Sequence, residues 1–373
     1  MTEKTYQKLA KHLDNLPGGF PPTDTGVEFR ILKRLFTPKE AEFALYLTLI
    51  PEETRVVARR AKISSQEASQ RLETMAQKGL IYRIDSQAGR PMYMAAQYAI
   101  GIWEFHVNDL DEGLAKDMGE YIPFLFDQAW KKPQLRTIPV NKSLSGELKV
   151  MNYENAEEMV RHVGKSVVAP CICRRELSLL GKGCGKPEET CLVFDKGAEY
   201  YQRNGLGREI GQQEALDILK IAEEAGLVLQ PSNAREIINI CCCCGDCCGV
   251  LRTLKAYPKP ASLASTPFFA MVDTETCEGC GVCEDRCQME AVHLVAEKAS
   301  IDMDRCIGCG LCAPTCPTDS MSLARKPKHD QPDVPRDLIE ASIALGRARG
   351  KLSLGNLLMM QLKSKVDRLL ASK

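Results

Sequence analysis

Cys277-Glu278-Gly279-Cys280-Gly281-Val282-Cys283-Glu284-Asp285-Arg286-Cys287 is followed, after eighteen intervening residues, by Cys306-Ile307-Gly308-Cys309-Gly310-Leu311-Cys312-Ala313-Pro314-Thr315-Cys316-Pro317. The spacing C-x-x-C-x-x-C-x-x-x-C thus occurs twice, offset by 29 residues. Such a run places three thiolates on one tight loop, with glycine between them at 279, 281, 308 and 310, where the backbone must turn sharply. The repeat extends outwards: Val272-Asp273 aligns with Ile301-Asp302, and Val292-His293-Leu294 with Met321-Ser322-Leu323, as expected of two half-domains flanked by short strands.

This spacing resembles that of bacterial two-cluster ferredoxins, in which the fourth cysteine of each run ligates the other run's cluster. The resemblance implies two 4Fe-4S clusters, the first on Cys277, Cys280, Cys283 and Cys316, the second on Cys306, Cys309, Cys312 and Cys287. Pro317 fits the family's pattern after the fourth cysteine, but Gln288 stands where the first run would have proline, which leaves that local turn open. Zinc would not need two interlocked runs.

At 373 residues the chain is long enough for several domains with cores of their own. Its 49 basic and 49 acidic residues cancel, so bulk charge argues for neither nucleic acid nor acidic lipid. No charged segment followed by an apolar run opens the sequence, and the apolar stretch 44–50 is far too short to span a bilayer. A cytoplasmic protein is expected, and there its 18 cysteines read as metal ligands or redox groups rather than disulfides. Exposed clusters suggest an anaerobic or microaerobic cell.

The fold expected is α+β and multidomain. Residues 1–36 read as a helix (5–13), a Pro-Gly linker (16–22) and a further apolar segment (27–36). From 37 to 132 comes a winged-helix-like domain with a helical extension. Thr37-Pro38-Lys39-Glu40 is an N-cap, a proline at the first helical position and an acidic first turn. Further helices at 54–61 and 65–78 lead to a hairpin, 80–84 and 92–95, the order of a winged helix-turn-helix. Such domains elsewhere put the third helix into DNA, which would place Ser64, Ser65, Gln66, Ser69, Gln70 and Arg71 at the groove and Arg83 and Arg90 near the wing. Nine basic residues against seven acidic ones between Thr37 and Ile100 is a small surplus for phosphate, and such domains also dock proteins. Both readings stay open. The aromatic segment 98–107 reads as core rather than a cofactor box.

Residues 133–256 form a cysteine-rich central α/β region. A strand at 167–170 delivers Cys171 and Cys173, a Gly-rich loop carries Cys184, and Cys191 follows. A second strand, 237–240, leads into Cys241-Cys242-Cys243-Cys244-Gly245-Asp246-Cys247-Cys248. Distant segments ending in thiols suggest a third centre, drawn from Cys171, Cys173, Cys184, Cys191, Cys243, Cys244, Cys247 and Cys248. A third iron–sulfur cluster is the reading, with structural zinc and redox-active thiols as alternatives. Adjacent cysteines on a strand alternate faces, so they cannot all reach one ion. Arg174 and Arg175 either stabilise thiolates there or are surface charges. Tyr200, Tyr201, Arg203, Asn204, Arg208 and Glu209 sit in a polar loop that could frame a pocket. The five histidines are scattered, and no nucleophile, metalloprotease or phosphate-loop motif is present.

A Pro- and Ser-rich joint, 257–267, enters the two-cluster ferredoxin-like domain, 268–325. A polar spacer leads on to a helical tail, 336–373, interrupted at its glycines and carrying a leucine stripe for its own domain or a partner. Over most of its length the chain resembles a group of large ferredoxin-like proteins of anaerobic bacteria. The shared features are the Pro17-Gly18-Gly19-Phe20-Pro21 opening, Cys171-Ile172-Cys173-Arg174-Arg175, the cysteines before Gly249 and the terminal module. That resemblance implies anaerobic redox metabolism without naming a reaction. The expectation is an electron-transfer protein or oxidoreductase subunit with a redox protein as its partner. The alternatives are a redox-sensing DNA-binding regulator and a cluster carrier.

Overall fold

The computed structural model describes residues 2–144 and 148–371 of the chain. It is a mixed α/β, multidomain architecture that divides into two compact units.

The first unit comprises Met1–Lys132, Glu199–Leu206 and Ser342–Lys373. Helices Thr2–Asp14 and Val27–Leu35 open it, and helix Pro38–Ala44 begins in a full capping box: Glu40 N–H donates to the Thr37 hydroxyl and Thr37 N–H to the Glu40 carboxylate. Strand β1 (Glu52–Glu53), helices Thr54–Ala61 and Ser65–Gln77, and strands β2 (Ile81–Asp85) and β3 (Pro91–Ala95) follow. The strands pair antiparallel in the order β1-β3-β2.

The expected linker at Pro17-Gly18-Gly19-Phe20-Pro21 is instead part of the core. Phe20 is 1% exposed and packs against Tyr98 and Tyr121, with ring centroids 4.7 and 4.9 Å away. Tyr121 donates its hydroxyl to Pro21 O at 3.0 Å, and the Arg349 guanidinium donates to Leu16 O at 2.8 Å and Asp14 Oδ1 at 2.6 Å. Gly19 is required twice over. Its φ of +76° is left-handed, and a Cβ there would lie 2.5 Å from the Arg349 guanidinium. Turn residues mark a bend, and burial decides whether the bend is a hinge or a core element.

Residues 200–206 likewise turn out to be packing, not a pocket frame. Tyr200 is fully buried against Tyr82 and Phe105, its hydroxyl 2.9 Å from Ala76 O and 3.0 Å from Ile81 O, and Arg203 pairs with Asp85.

The tail forms two helices, Leu338–Ala348 and Leu354–Leu370, broken at Gly350 with φ +69°. Gly346 and Gly355, expected as interruptions, lie inside those helices. The second helix reverses the usual amphipathic rule: Ser364 and Asp367 are buried, whereas Leu358, Leu362 and Leu369 are exposed. Its polar face is inward because the helix Thr54–Ala61 offers arginines there. Arg60 donates to Asp367 Oδ2 at 2.6 Å and to Glu52 Oε1 at 2.6 Å, Ser364 donates to the same Glu52 oxygen, and Arg55 donates to Arg368 O at 2.8 Å.

The second unit comprises Pro133–Ala198 and Gly207–Ala341. Its five-stranded sheet contains β4 (Ser166–Pro170), β5 (Glu189–Phe194), β6 (Arg208–Ile210), β7 (Val228–Pro231) and β8 (Asn239–Cys243), ordered β6-β4-β5-β8-β7 and antiparallel throughout. The last strand starts two residues later than its apolar run and continues through three cysteines. Helices Ala156–His162 and Gln212–Glu224 pack against each other. The same unit contains β9 (Phe268–Val272), β10 (Val292–Val295), β11 (Lys298–Ile301) and β12 (Met321–Arg325); β9 pairs with β12 and β10 with β11. Among the described residues no helix is long and apolar enough to cross a membrane.

Removing the Asp367 carboxylate leaves Arg60, only 10% exposed at its side chain, short of one partner. We expect Asp367→Ala to destabilise the first unit by about 3 kcal/mol, the low end for breaking a buried pair because Glu52 remains. Both tryptophans, Trp103 and Trp130, lie in that unit, so their fluorescence during urea denaturation reports it. An unchanged midpoint would mean that the tail contributes nothing to its stability.

Candidate metal centres

The two cysteine runs are related by the 29-residue offset in three dimensions as well as in sequence. Ala299 N–H donates to Cys277 Sγ at 3.4 Å and Ala270 N–H to Cys306 Sγ at 3.4 Å. Cys277 N–H donates to Asp273 O at 3.1 Å and Cys306 N–H to Asp302 O at 3.0 Å. Gly279, Gly281, Gly308 and Gly310 all have φ between +63° and +79°. At Gly279 a Cβ would lie 2.0 Å from Glu297 O, and at Gly308 2.2 Å from Phe268 O, so the backbone passes where no side chain fits.

Cys277, Cys280, Cys283 and Cys316 line one cavity together with Leu294 and Met321. Burial raises the thiol pKa values of Cys306, Cys309 and Cys312, and an electrostatic interaction with Cys287 adds a smaller push to each. Cys309 is pushed up to about 12. Metal binding must therefore displace protons that burial holds in place. Cys316 goes the other way. Burial opposes ionisation there, but the Thr318 hydroxyl and neighbouring N–H groups outweigh it and lower its pKa. Cys280 is exposed, Cys277 and Cys283 are buried, and Cys306 and Cys312 are buried as well.

The ten central cysteines sort into two sets and one outlier. Cys241 Sγ is hydrogen-bonded to Cys191 and Cys243, Cys243 to Cys248, Cys248 to Cys173, and Cys173 to Cys171. This continuous set of six includes Cys241, which sequence reasoning left out. Its signal is the β5–β8 register, which puts Cys191 directly opposite Cys241 and is invisible without the sheet. Cys184, Cys244 and Cys247 make the other set, their sulfurs all within 4.8 Å of one another. Cys242, between two members of the first set on β8, stands apart, as strand alternation requires.

The paired arginines separate. Arg174 is 3% exposed and donates to Cys242 O at 3.1 and 3.2 Å and to the Thr190 hydroxyl, with one amino group 4.0 Å from Cys244 Sγ. Nearby thiolates raise its pKa against the effect of burial. Arg175 forms a partly exposed ion pair with Glu188. Sequence reasoning did not single out Glu176, a carboxylate only 1% exposed whose pKa burial pushes up to about 7. Its nearest cation, Arg252, is 3.8 Å away, beyond hydrogen-bonding reach.

Gln288, where the first run lacks its proline, has a tertiary role. Its side-chain carbonyl accepts Gly245 N–H at 2.7 Å, and Gly245 approaches so closely that a Cβ there would lie 2.3 Å from Gln288 O. Proline could not accept that bond, which would leave a buried donor unpaired.

Two substitutions in one loop should separate sharply. Gly279→Ala meets Glu297 O at 2.0 Å, whereas Gly281→Ala has Leu294 Cδ1 at an ordinary 3.7 Å. Both carry the left-handed backbone cost of roughly 1–2 kcal/mol. We expect oxygen-free preparations of the first to lose about four irons per chain, and those of the second to keep them, by colorimetric iron assay. Equal iron in both would refute a close-approach role for Gly279.

Residues 299–322 match the family model described as 4Fe-4S binding domain. No curated protein and no solved structure matches the chain. The matched residues contain Cys306, Cys309, Cys312 and Cys316, and the chain thus carries an iron–sulfur-binding domain in this region.

Proposed function

We propose that this chain is an iron–sulfur electron-transfer protein or the electron-transferring component of an oxidoreductase. Cys277, Cys280, Cys283 and Cys316 hold one 4Fe-4S cluster, and Cys306, Cys309, Cys312 and Cys287 the other. The observation that carries this reading is that Cys316, from the second run, lines one cavity with Cys277, Cys280 and Cys283 of the first. Bound there, a cluster supplies reversible one-electron chemistry. The chain's part is to present thiolates and to direct N–H groups at their sulfurs. Ala270, Ala291 and Ala299 do so at 3.2 to 3.4 Å, favouring the extra negative charge of the reduced state. With Cys280 exposed, the first site is the one within reach of a redox partner. A chain of eighteen cysteines, eight of them in cluster-ligand spacing, fits a reducing, cytoplasmic setting.

A further centre belongs among Cys171, Cys173, Cys191, Cys241, Cys243 and Cys248, whose sulfurs are joined by hydrogen bonds. Deprotonated together, they form a soft, polydentate site.

The helix–helix–helix–hairpin order of residues 37–100 supports a winged-helix reading of that segment. Its role is then protein contact rather than DNA binding, since most of its arginines are already paired with carboxylates of the chain. Arg59 and Arg60 pair with Asp367, Arg71 with Glu67 and Arg83 with Glu73.

Cys280→Ser and Cys309→Ser, purified without oxygen, should each lose about four irons per chain and one of two reducible paramagnetic signals. Iron-free wild-type protein, or spectra unmoved by both changes, would sink the reading. In duplex-binding assays we expect no difference between oxidised and reduced protein; a state-dependent operator complex would instead favour a redox-sensing regulator.

A further inference from the structure

We infer that Cys184, Cys244 and Cys247 form a separate site for one thiophilic divalent cation, zinc or ferrous iron, in tetrahedral coordination with its fourth corner open. This goes beyond the reading above, which concerns other thiols.

The geometry selects a single ion. Four bonds of about 2.3 Å in a tetrahedron put the sulfurs about 3.8 Å apart. Cys184 Sγ and Cys244 Sγ are 3.7 Å apart, and Cys247 completes a triangle with no edge longer than 4.8 Å. A 4Fe-4S core holds its thiolates around a much wider body. A disulfide needs a separation near 2.05 Å.

The local chain is built for such a site. Cys244-Gly245-Asp246-Cys247 is a C-x-x-C turn directly after β8, and Cys247 N–H donates back to Cys244 Sγ at 3.4 Å. Cys184 arrives from the opposite side of the sequence, on a loop between Gly181 and Gly185, both with φ near +70° and open space at their Cβ positions. Gly185 gives that loop the left-handed turn beside the ligand. Cys244 and Cys247 are fully buried, whereas Cys184 is only half-buried, so the site has an accessible side.

The charge also fits. Three thiolates and a divalent cation sum to one negative charge, and the buried Arg174 guanidinium, 4.0 Å from Cys244 Sγ, supplies a positive one. Its Nε has no hydrogen-bond partner among the described residues. Among the same residues no fourth cysteine, histidine or carboxylate joins the three. The remaining corner is therefore left for water or an incoming thiolate, as in sites that activate a ligand rather than only brace a fold. The knuckle rests on the ferredoxin-like module through the Gly245–Gln288 bond, next to Cys287.

The test uses the full chain expressed with cobalt(II) as the probe ion, and separately metal analysis of oxygen-free native protein. Wild type should show the visible bands of tetrahedral cobalt and intense sulfur-to-cobalt charge transfer. Cys184→Ser, on a half-exposed loop, should lose most of that charge-transfer intensity, and Cys247→Ser should too. Each should also lose about one zinc or iron per chain while keeping the iron of the C-terminal module. Cys242→Ser, outside both sets of thiols, should leave the cobalt bands in place. Cobalt spectra alike in wild type and Cys184→Ser would overturn the inference. So would a loss of about four irons on Cys184→Ser, which marks a cubane, or a Cys184–Cys244 disulfide in oxygen-free protein. The cobalt arm does not depend on the ferredoxin-like clusters, so their failure and this one would be told apart.

Discussion

Each half of the C-terminal module completes the other. A backbone N–H from β9 serves Cys306, and one from β11 serves Cys277, so neither cysteine loop has its sulfur contacts without the opposite half folded beside it. That reciprocity depends on glycine. The loop at Gly279 passes against Glu297 O and the one at Gly308 against Phe268 O, distances at which any Cβ would overlap the carbonyl. Burial raises the pKa of four thiols here, Cys283, Cys306, Cys309 and Cys312, so a cation binding to them would have to displace their protons.

The central sheet solves a related problem differently. A strand cannot present neighbouring cysteines to one centre, and β8 does not: Cys241 and Cys243 join one set of thiols, while Cys242 offers its carbonyl to Arg174. Where the chain leaves the strand, alternation stops and the turn redirects Cys244 and Cys247 to Cys184. Arg174 lies between the sets, interacting electrostatically with Cys171, Cys243 and Cys244. A buried cation there offsets thiolate charge that a sheet of peptide dipoles could not. Glu176, nearly unexposed and without a hydrogen bond among the described residues, is the opposite case, a carboxyl that burial keeps close to neutrality.

In the first unit, the tail helix owes its placement to ion pairs more than to amphipathic pattern. The tail helix has enough leucine for an apolar stripe, yet it turns Ser364 and Asp367 inward. The reason is local. Glu52 and Arg60 are both deeply buried, and a buried pair gains most when every remaining lone pair and N–H finds a partner. Ser364 and Asp367 are those partners.

What the sequence determined was whatever is set by neighbours along the chain. The cysteine spacing, the glycines between the cysteines, the Thr37 capping box and the helix order to residue 95 were legible because each depends on a few adjacent residues. Only the tertiary structure decided which distant groups meet. Cys191 faces Cys241 through strand register, and Gln288 replaces proline to hold Gly245. The Pro17-Gly18-Gly19-Phe20-Pro21 segment became core because Arg349, far along the chain, caps its carbonyls. Burial, register and long-range hydrogen bonds have no signature in local spacing, so the partition of ten central thiols into six, three and one could be read only from the folded chain.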